Sequence, residues 1–184
     1  MLNPQKNPKM IKGAYFSKNN HHRFALWRIW NPQLPKITFI GFNPSKADEK
    51  EDDATIRRVI KFAKSWGYGG VYMVNCYSII STNPYIINDH YIKNQLTIDD
   101  IRANQFFIEL CTSKSNEVVF AWGTFKAVKQ SFVEEYLIDK FPLAKCLLKN
   151  IDGSPRHPLY IRADKELELF NENNLLLTGR NYGL

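Results

Sequence analysis

A chain of 184 residues with a 44 % apolar share is long enough to bury one full core, so a single domain over residues 1–184 is expected. A formal net charge of +7 favours a polyanionic partner, because phosphates reward Lys and Arg by counterion release, although a solvated basic surface explains the same charge. No apolar run approaches the ~18 residues of a membrane span, no CxxC or Cys/His cluster marks a structural zinc, and Cys76, Cys111 and Cys146 read as reduced thiols of a cytoplasmic protein.

Residues 1–12 are polar, carry two prolines, lack the apolar stretch of a signal peptide and are expected to be a flexible lead-in. "GAYFSKNNHHRFALWRIW" predicts a β-hairpin turning at Asn19-Asn20, with Phe24, Leu26, Arg28 and Trp30 alternating with Ala25, Trp27 and Ile29. "NPQLP" breaks it. "KITFIGF" is a short continuous apolar run, as in a central strand covered on both faces.

A helix follows, with Asp53 as N-cap, Ile56, Val59, Ile60 and Ala63 at helical spacing, and Gly67 as the C-terminal cap. "GGVYMVNCY" is a second buried strand. "SIISTNPYIINDHYIKNQ" reads as a long polar loop. "IDDIRANQFFIELCTS" predicts a helix burying Ile101, Phe107, Ile108 and Cys111. "EVVFAWG" is a third strand, "TFKAVKQSFVEEYLID" another helix, and "AKCLLK" a fourth strand. "DKELELFNENN" reads as helical, and "LLLTGRNYGL" is ambiguous. Strand and helix alternate, which predicts a three-layer α/β/α sandwich with a mostly parallel sheet plus the N-terminal hairpin.

In such sheets ligands bind beyond the C-terminal strand ends. There the chain sets Asn43, Asn75, Trp122-Gly123 and His157 after successive strands. Five acids in positions 48–53 could hold Mg²⁺, but a contiguous run before a helix fits a capping loop better. "GFNPS" is not a phosphate-binding Walker loop; it is either a strand-ending turn or a rigid presentation of the Asn43 amide. Asn75 combines a donor and an acceptor, as reading a base edge requires, yet a turn role explains it equally. His157 lies in a loop stiffened by two prolines, where an imidazole can donate to a leaving group, whereas His21, His22 and His90 read as structural or exposed. Arg156, Lys126, Arg57 and Arg58 are candidate phosphate contacts, though any one of them is more simply read as a solvated charge.

Together "GFNPS", "VYMVNCY", "VVFAWG" and "SPRHPLY" resemble, in order and approximate spacing across residues 37–161, the motifs of the uracil-DNA glycosylase superfamily. The combination "NPS…AD…DDxTIRR…WGYGG…VNxY", "AWG" and "PRHPLY" is closer still to a bacterial and phage family of unknown function. The resemblance implies a uracil-DNA-glycosylase-like fold and hydrolysis of an N-glycosidic bond on a flipped, modified pyrimidine without metal or cofactor, leaving an abasic site. It further implies an anti-phage role against bases such as glucosylated hydroxymethylcytosine. Asn43 would position the water or steady the oxocarbenium-like sugar, in place of the Asp of the most active uracil enzymes; His157 would stabilise the departing base, and Asn75 would read it. Phe42 would wall the pocket beside Ser45, which stands where the glycosylases have Gly or Tyr. Ser45, Ser154 and Arg156 would hold phosphates, and Leu159 or Tyr160 would wedge into the duplex. The segment Asp53-x-Thr55-x-Arg57-Arg58 is foreign to ordinary uracil enzymes and points to another substrate. The expected partner is DNA, single- or double-stranded, bound by a monomer. A catalytically silent nucleic-acid-binding module, an enzyme of free modified nucleotides, and a metal nuclease built on the acid run are the alternatives.

Overall fold

The structure, a computed structural model, describes residues 9–88, 96–124 and 132–171. Seven strands, β1 (Ile11–Phe16), β2 (Arg23–Ile29), β3 (Lys36–Gly41), β4 (Gly70–Asn75), β5 (Glu117–Phe120), β6 (Lys145–Cys146) and β7 (Glu168–Leu169), form one sheet in the order β1-β2-β4-β3-β5-β6-β7. Among the described residues three helices accompany it: α1 (Ala54–Ser65), α2 (Ile98–Ser113) and α3 (Phe132–Lys140).

The continuous apolar strands occupy the middle, as their composition requires. β4, β3, β5 and β6 run parallel. The hairpin joins this unit antiparallel through β2 on β4, and β7 closes the other edge antiparallel on β6. The sheet is therefore mixed, where a mostly parallel one is expected from the strand–helix alternation. Both antiparallel margins come from segments that lack a crossover helix, which a parallel connection needs.

Side chains alternate across the pleat. Ile37 and Phe39 pack with Val59, Phe62 and Ala63 of α1, while Ile40, Phe120 and Trp122 pack with Ile108 of α2 and Leu137 of α3. Helices thus cover both faces. α1 forms as its sequence dictates: Asp53 Oδ1 accepts from the Ile56 N–H at 2.9 Å, and Gly67 takes the left-handed conformation (φ 82°) after the last turn. α2 starts in a Thr97/Asp100 capping box.

Some expectations need correction. Ile11 and Lys12 already pair with Ile29 and Arg28, so β1 begins inside the supposed lead-in. The buried stripe of α2 is Asn104, Ile108 and Cys111, whereas Ile101 is exposed. Residues 164–171 do not form the expected helix. Lys145 and Cys146 leave their edge unpaired, Glu168 and Leu169 fill it, and Phe170 then packs against Phe120 and Trp122. The first part of the helix expected at 124–139 and the C-terminal residues beyond 171 lie outside the described residues.

Candidate functional site

β3, β4 and β5 end on one rim, and their hydrogen bonding runs on past the strand ends: the Cys76 N–H donates to Gly41 O at 2.8 Å, Tyr77 N–H to Phe42 O at 2.9 Å and Ala121 N–H to Ile40 O at 2.8 Å. A cleft of about 620 Å³ opens at this rim, inside the range of small-molecule and cofactor sites. Asn43, Asn75 and His157 all line it, together with Phe42, Ser45, Arg156, Leu159 and Tyr160.

Asn75 is 1 % exposed, and neither its Oδ1 nor its Nδ2 has a partner among the described residues. Its backbone is held from α2, where Asn104 Nδ2 donates to the carbonyls of Asn75 and Cys76 at 3.1 Å each. Gly41 lies opposite in the parallel register, and a Cβ there would sit 2.9 Å from Asn75 Oδ1 and 2.6 Å from Met73 Cε. The glycine is what lets the amide lie across β3. A buried amide with neither end satisfied is uncommon and costly, which points to a ligand that offers a donor and an acceptor side by side.

Asn43 is oriented by the loop it stabilises. Its Nδ2 donates to the carbonyls of Pro44 and Ser81 at 2.9 Å each, and more weakly to Ile79 O at 3.4 Å. With the nitrogen committed to carbonyls, Oδ1 remains the acceptor end available to a water.

His157 precedes the turn Pro158–Tyr160, and the Leu159 N–H donates to its Nδ1 at 3.4 Å. Burial lowers its pKa below the ordinary 6.5, with Asp53 pulling the other way. A neutral ring that accepts at Nδ1 carries its proton on Nε2, as a donor. Arg58 steadies this turn by donating from Nη2 to the Ile161 carbonyl, and its guanidinium lies 4.8 Å over the Phe62 ring.

The acid run is spent on structure. Arg28, fully buried, donates from Nε to Asp52 Oδ1 at 2.6 Å and from Nη2 to the Asp48 carbonyl at 2.5 Å. Asp48 Oδ1 accepts from the Lys50 and Glu51 N–H groups at 2.7 Å each, which holds its pKa below the usual carboxylate range. Asp53 caps α1 and also lines the cleft.

Other sequence candidates separate. Tyr160 is 75 % and Leu159 38 % exposed at the mouth, in reach of a large ligand. Ser154 is buried and does not line the cleft; its hydroxyl engages Asp152, Thr124 and Asn150 within its own loop, so it is not free to hold a phosphate. Arg57 donates to the Asp52 carbonyl, and neither it nor Arg58 lines the cleft. Lys126 lies outside the described residues, as does His90. His22 is buried on Ser78 Oγ at 3.0 Å. The three cysteines are reduced and buried, with burial pushing the Cys111 thiol up to about 12 and Cys146 to about 11.

Among the cleft residues that escaped sequence reasoning, two stand out. Arg23 is 2 % exposed, and Tyr85, in a short 3-10 turn (Pro84–Ile86), is 70 % exposed beside the opening. Arg23 sits in a strand whose alternation predicts only packing. No local signal distinguishes it from Arg28, five residues on.

The fold and the cleft define an α/β protein with a polar site at the ends of parallel strands. The model of a family described as a protein of unknown function, DUF1643, matches residues 23–159, and the chain belongs to that family. No curated protein and no solved structure matches the chain.

Proposed function

We propose that this protein is a DNA glycosylase acting on a flipped, modified pyrimidine, in a fold of the uracil-DNA glycosylase kind. The observation that carries the reading is the unsatisfied Asn75 amide, buried in the wall of a cleft shared with Asn43 and His157. A pyrimidine edge presents adjacent donor and acceptor groups, the complement of an amide.

The chemistry follows from the groups present. Cleaving a C1′–N bond builds positive charge on the sugar and sends the bonding electrons to the base. The Nε2–H of neutral His157 would donate to the base oxygen where that charge gathers. Asn43 Oδ1 would accept from the attacking water, whose oxygen bonds to C1′ while its proton ends on the departing base. Asp53, the one carboxylate among the described lining residues, would supply the negative charge that favours an oxocarbenium-like sugar. At the mouth of the cleft, Tyr160, Leu159 and Tyr85 would fill the gap left in the stack, and Arg156 would meet the phosphates. Glucosylated hydroxymethylcytosine of phage DNA is the substrate the motif resemblance favours.

The test is alkali-labile strand breakage on DNAs carrying single uracil, hydroxymethylcytosine or glucosylated hydroxymethylcytosine residues. Base release from at least one of them, lost in Asn43→Ala and His157→Ala, supports the reading. Tight binding without release from any supports a silent binding module. Scission without alkali that EDTA abolishes supports the nuclease.

A further inference from the structure

We infer that Arg23 is an oxyanion-binding residue of the cleft, taking a carboxylate or phosphate oxygen of the bound nucleotide; the inference rests on the reading of the cleft as a nucleotide site. β2 carries two buried arginines, and the comparison between them makes the case. Arg28 is saturated: besides Asp52 and Asp48 O, it donates to Trp27 O at 2.9 Å and to Gly13 O and Glu51 O at 3.3 Å each. Among the described residues Arg23 makes one side-chain hydrogen bond, from Nη1 to Ala47 O at 2.7 Å. Its Nε is buried without a partner, and it makes no ion pair among the described residues.

A guanidinium has five N–H donors in a rigid fork and no acceptor, so the bond to Ala47 O leaves donors over for a ligand, the buried Nε–H among them. The opposing charge that acts on it most is Asp53, one of whose oxygens is committed to the Ile56 N–H. Burial lowers the Arg23 pKa to about 10, which still leaves it charged at neutral pH. A buried cation lacking a bound counter-charge is unfavourable unless something supplies one. Arg23 lines the cleft with Asn75, so the supplier is the ligand. The guanidinium donates, and its planar fork matches the paired oxygens of a carboxylate or phosphate, which favours an anion over a hydroxyl.

Two sources present such an oxygen: the phosphate beside the flipped nucleoside and an acidic substituent on the base. Calorimetric titration of the whole chain with 2′-deoxycytidine, 2′-deoxycytidine 5′-monophosphate and 5-carboxy-2′-deoxycytidine separates them. At least one anionic ligand should bind roughly tenfold or more tighter than deoxycytidine, and that gain should vanish in Arg23→Met while the thermal transition persists. Whichever ligand shows the gain names the source. Arg23→Lys, which keeps the charge but not the fork, should lose most of the gain and carries the test if Arg23→Met does not fold. The inference is overturned if no ligand binds, if neither anion outbinds deoxycytidine, or if the gain survives in both variants. Arg23-dependent anion binding without base release from any DNA sinks the glycosylase reading alone. Base release with no anion preference sinks this inference alone.

Discussion

Replacing Asn75 by alanine should leave the protein at least as stable as it is, against the rule for a residue that is 1 % exposed. Two buried polar atoms without partners cost about 1–3 kcal/mol each, so removing both recovers roughly 2–6 kcal/mol. The truncation also forfeits packing. An amide is smaller than the groups lost in leucine truncations, which cost about 2–5 kcal/mol, so the loss sits near the lower end of that range. The net runs from about no change to a gain of about 4 kcal/mol. For a chain of this length one kcal/mol moves Tm by about 2–4 °C. Thermal unfolding should therefore show a Tm unchanged or as much as ~15 °C higher, with base release lost. The backbone at position 75 remains held by Asn104 in the variant. A Tm drop beyond ~5 °C would mean that the amide has a structural role and would refute the reasoning. Unaltered base release would show that Asn75 does not read the ligand.

Gly41→Ala drives a methyl against Met73 Cε and Asn75 Oδ1. The methionine tip can swing aside but the amide cannot without leaving its place, so a modest loss of about 1–3 kcal/mol should accompany a much larger loss of base release; equal activity in the variant contradicts the geometry. Asp52→Ala strands the buried Arg28 and should cost about 3–5 kcal/mol, whereas Asp53→Ala removes a helix cap at about 0.5–2 kcal/mol; denaturant midpoints in the reverse order would mean the acid loop is not built around Arg28. The folded-state pKa of His157 is lowered, so its neutral form contributes stability that is present above the unfolded value of 6.5 and lost as pH falls through the folded value. Base release should accordingly persist below pH 6.5 and fail only at lower pH, and a midpoint at or above 6.5 contradicts a neutral donor.

The parts of this fold legible in the sequence are those set by local rules. The Asp53 cap, the Gly67 terminus and the apolar runs of β3 and β4 each carry their own signal within a few residues. The seventh strand does not, because Glu168 and Leu169 are extended only through an edge that Lys145 and Cys146 offer from far along the chain. The same division holds at the cleft. Asn43, Asn75 and His157 were visible as polar residues after predicted strands. Arg23 was not, since its side chain is placed by the Ala47 carbonyl, far along the chain. Ser154 shows the opposite failure: a motif match suggested a phosphate ligand, while Asp152 and Asn150 of its own tight turn take up its hydroxyl.

The most direct test of the account is base release from duplex and single-stranded DNA carrying one glucosylated hydroxymethylcytosine, read as alkali-labile cleavage, with wild-type protein and Asn43→Ala side by side. The account predicts an abasic site in the wild-type reaction and none with Asn43→Ala under the same conditions. Intact DNA in the wild-type reaction, on this base and on uracil and hydroxymethylcytosine alike, would contradict it.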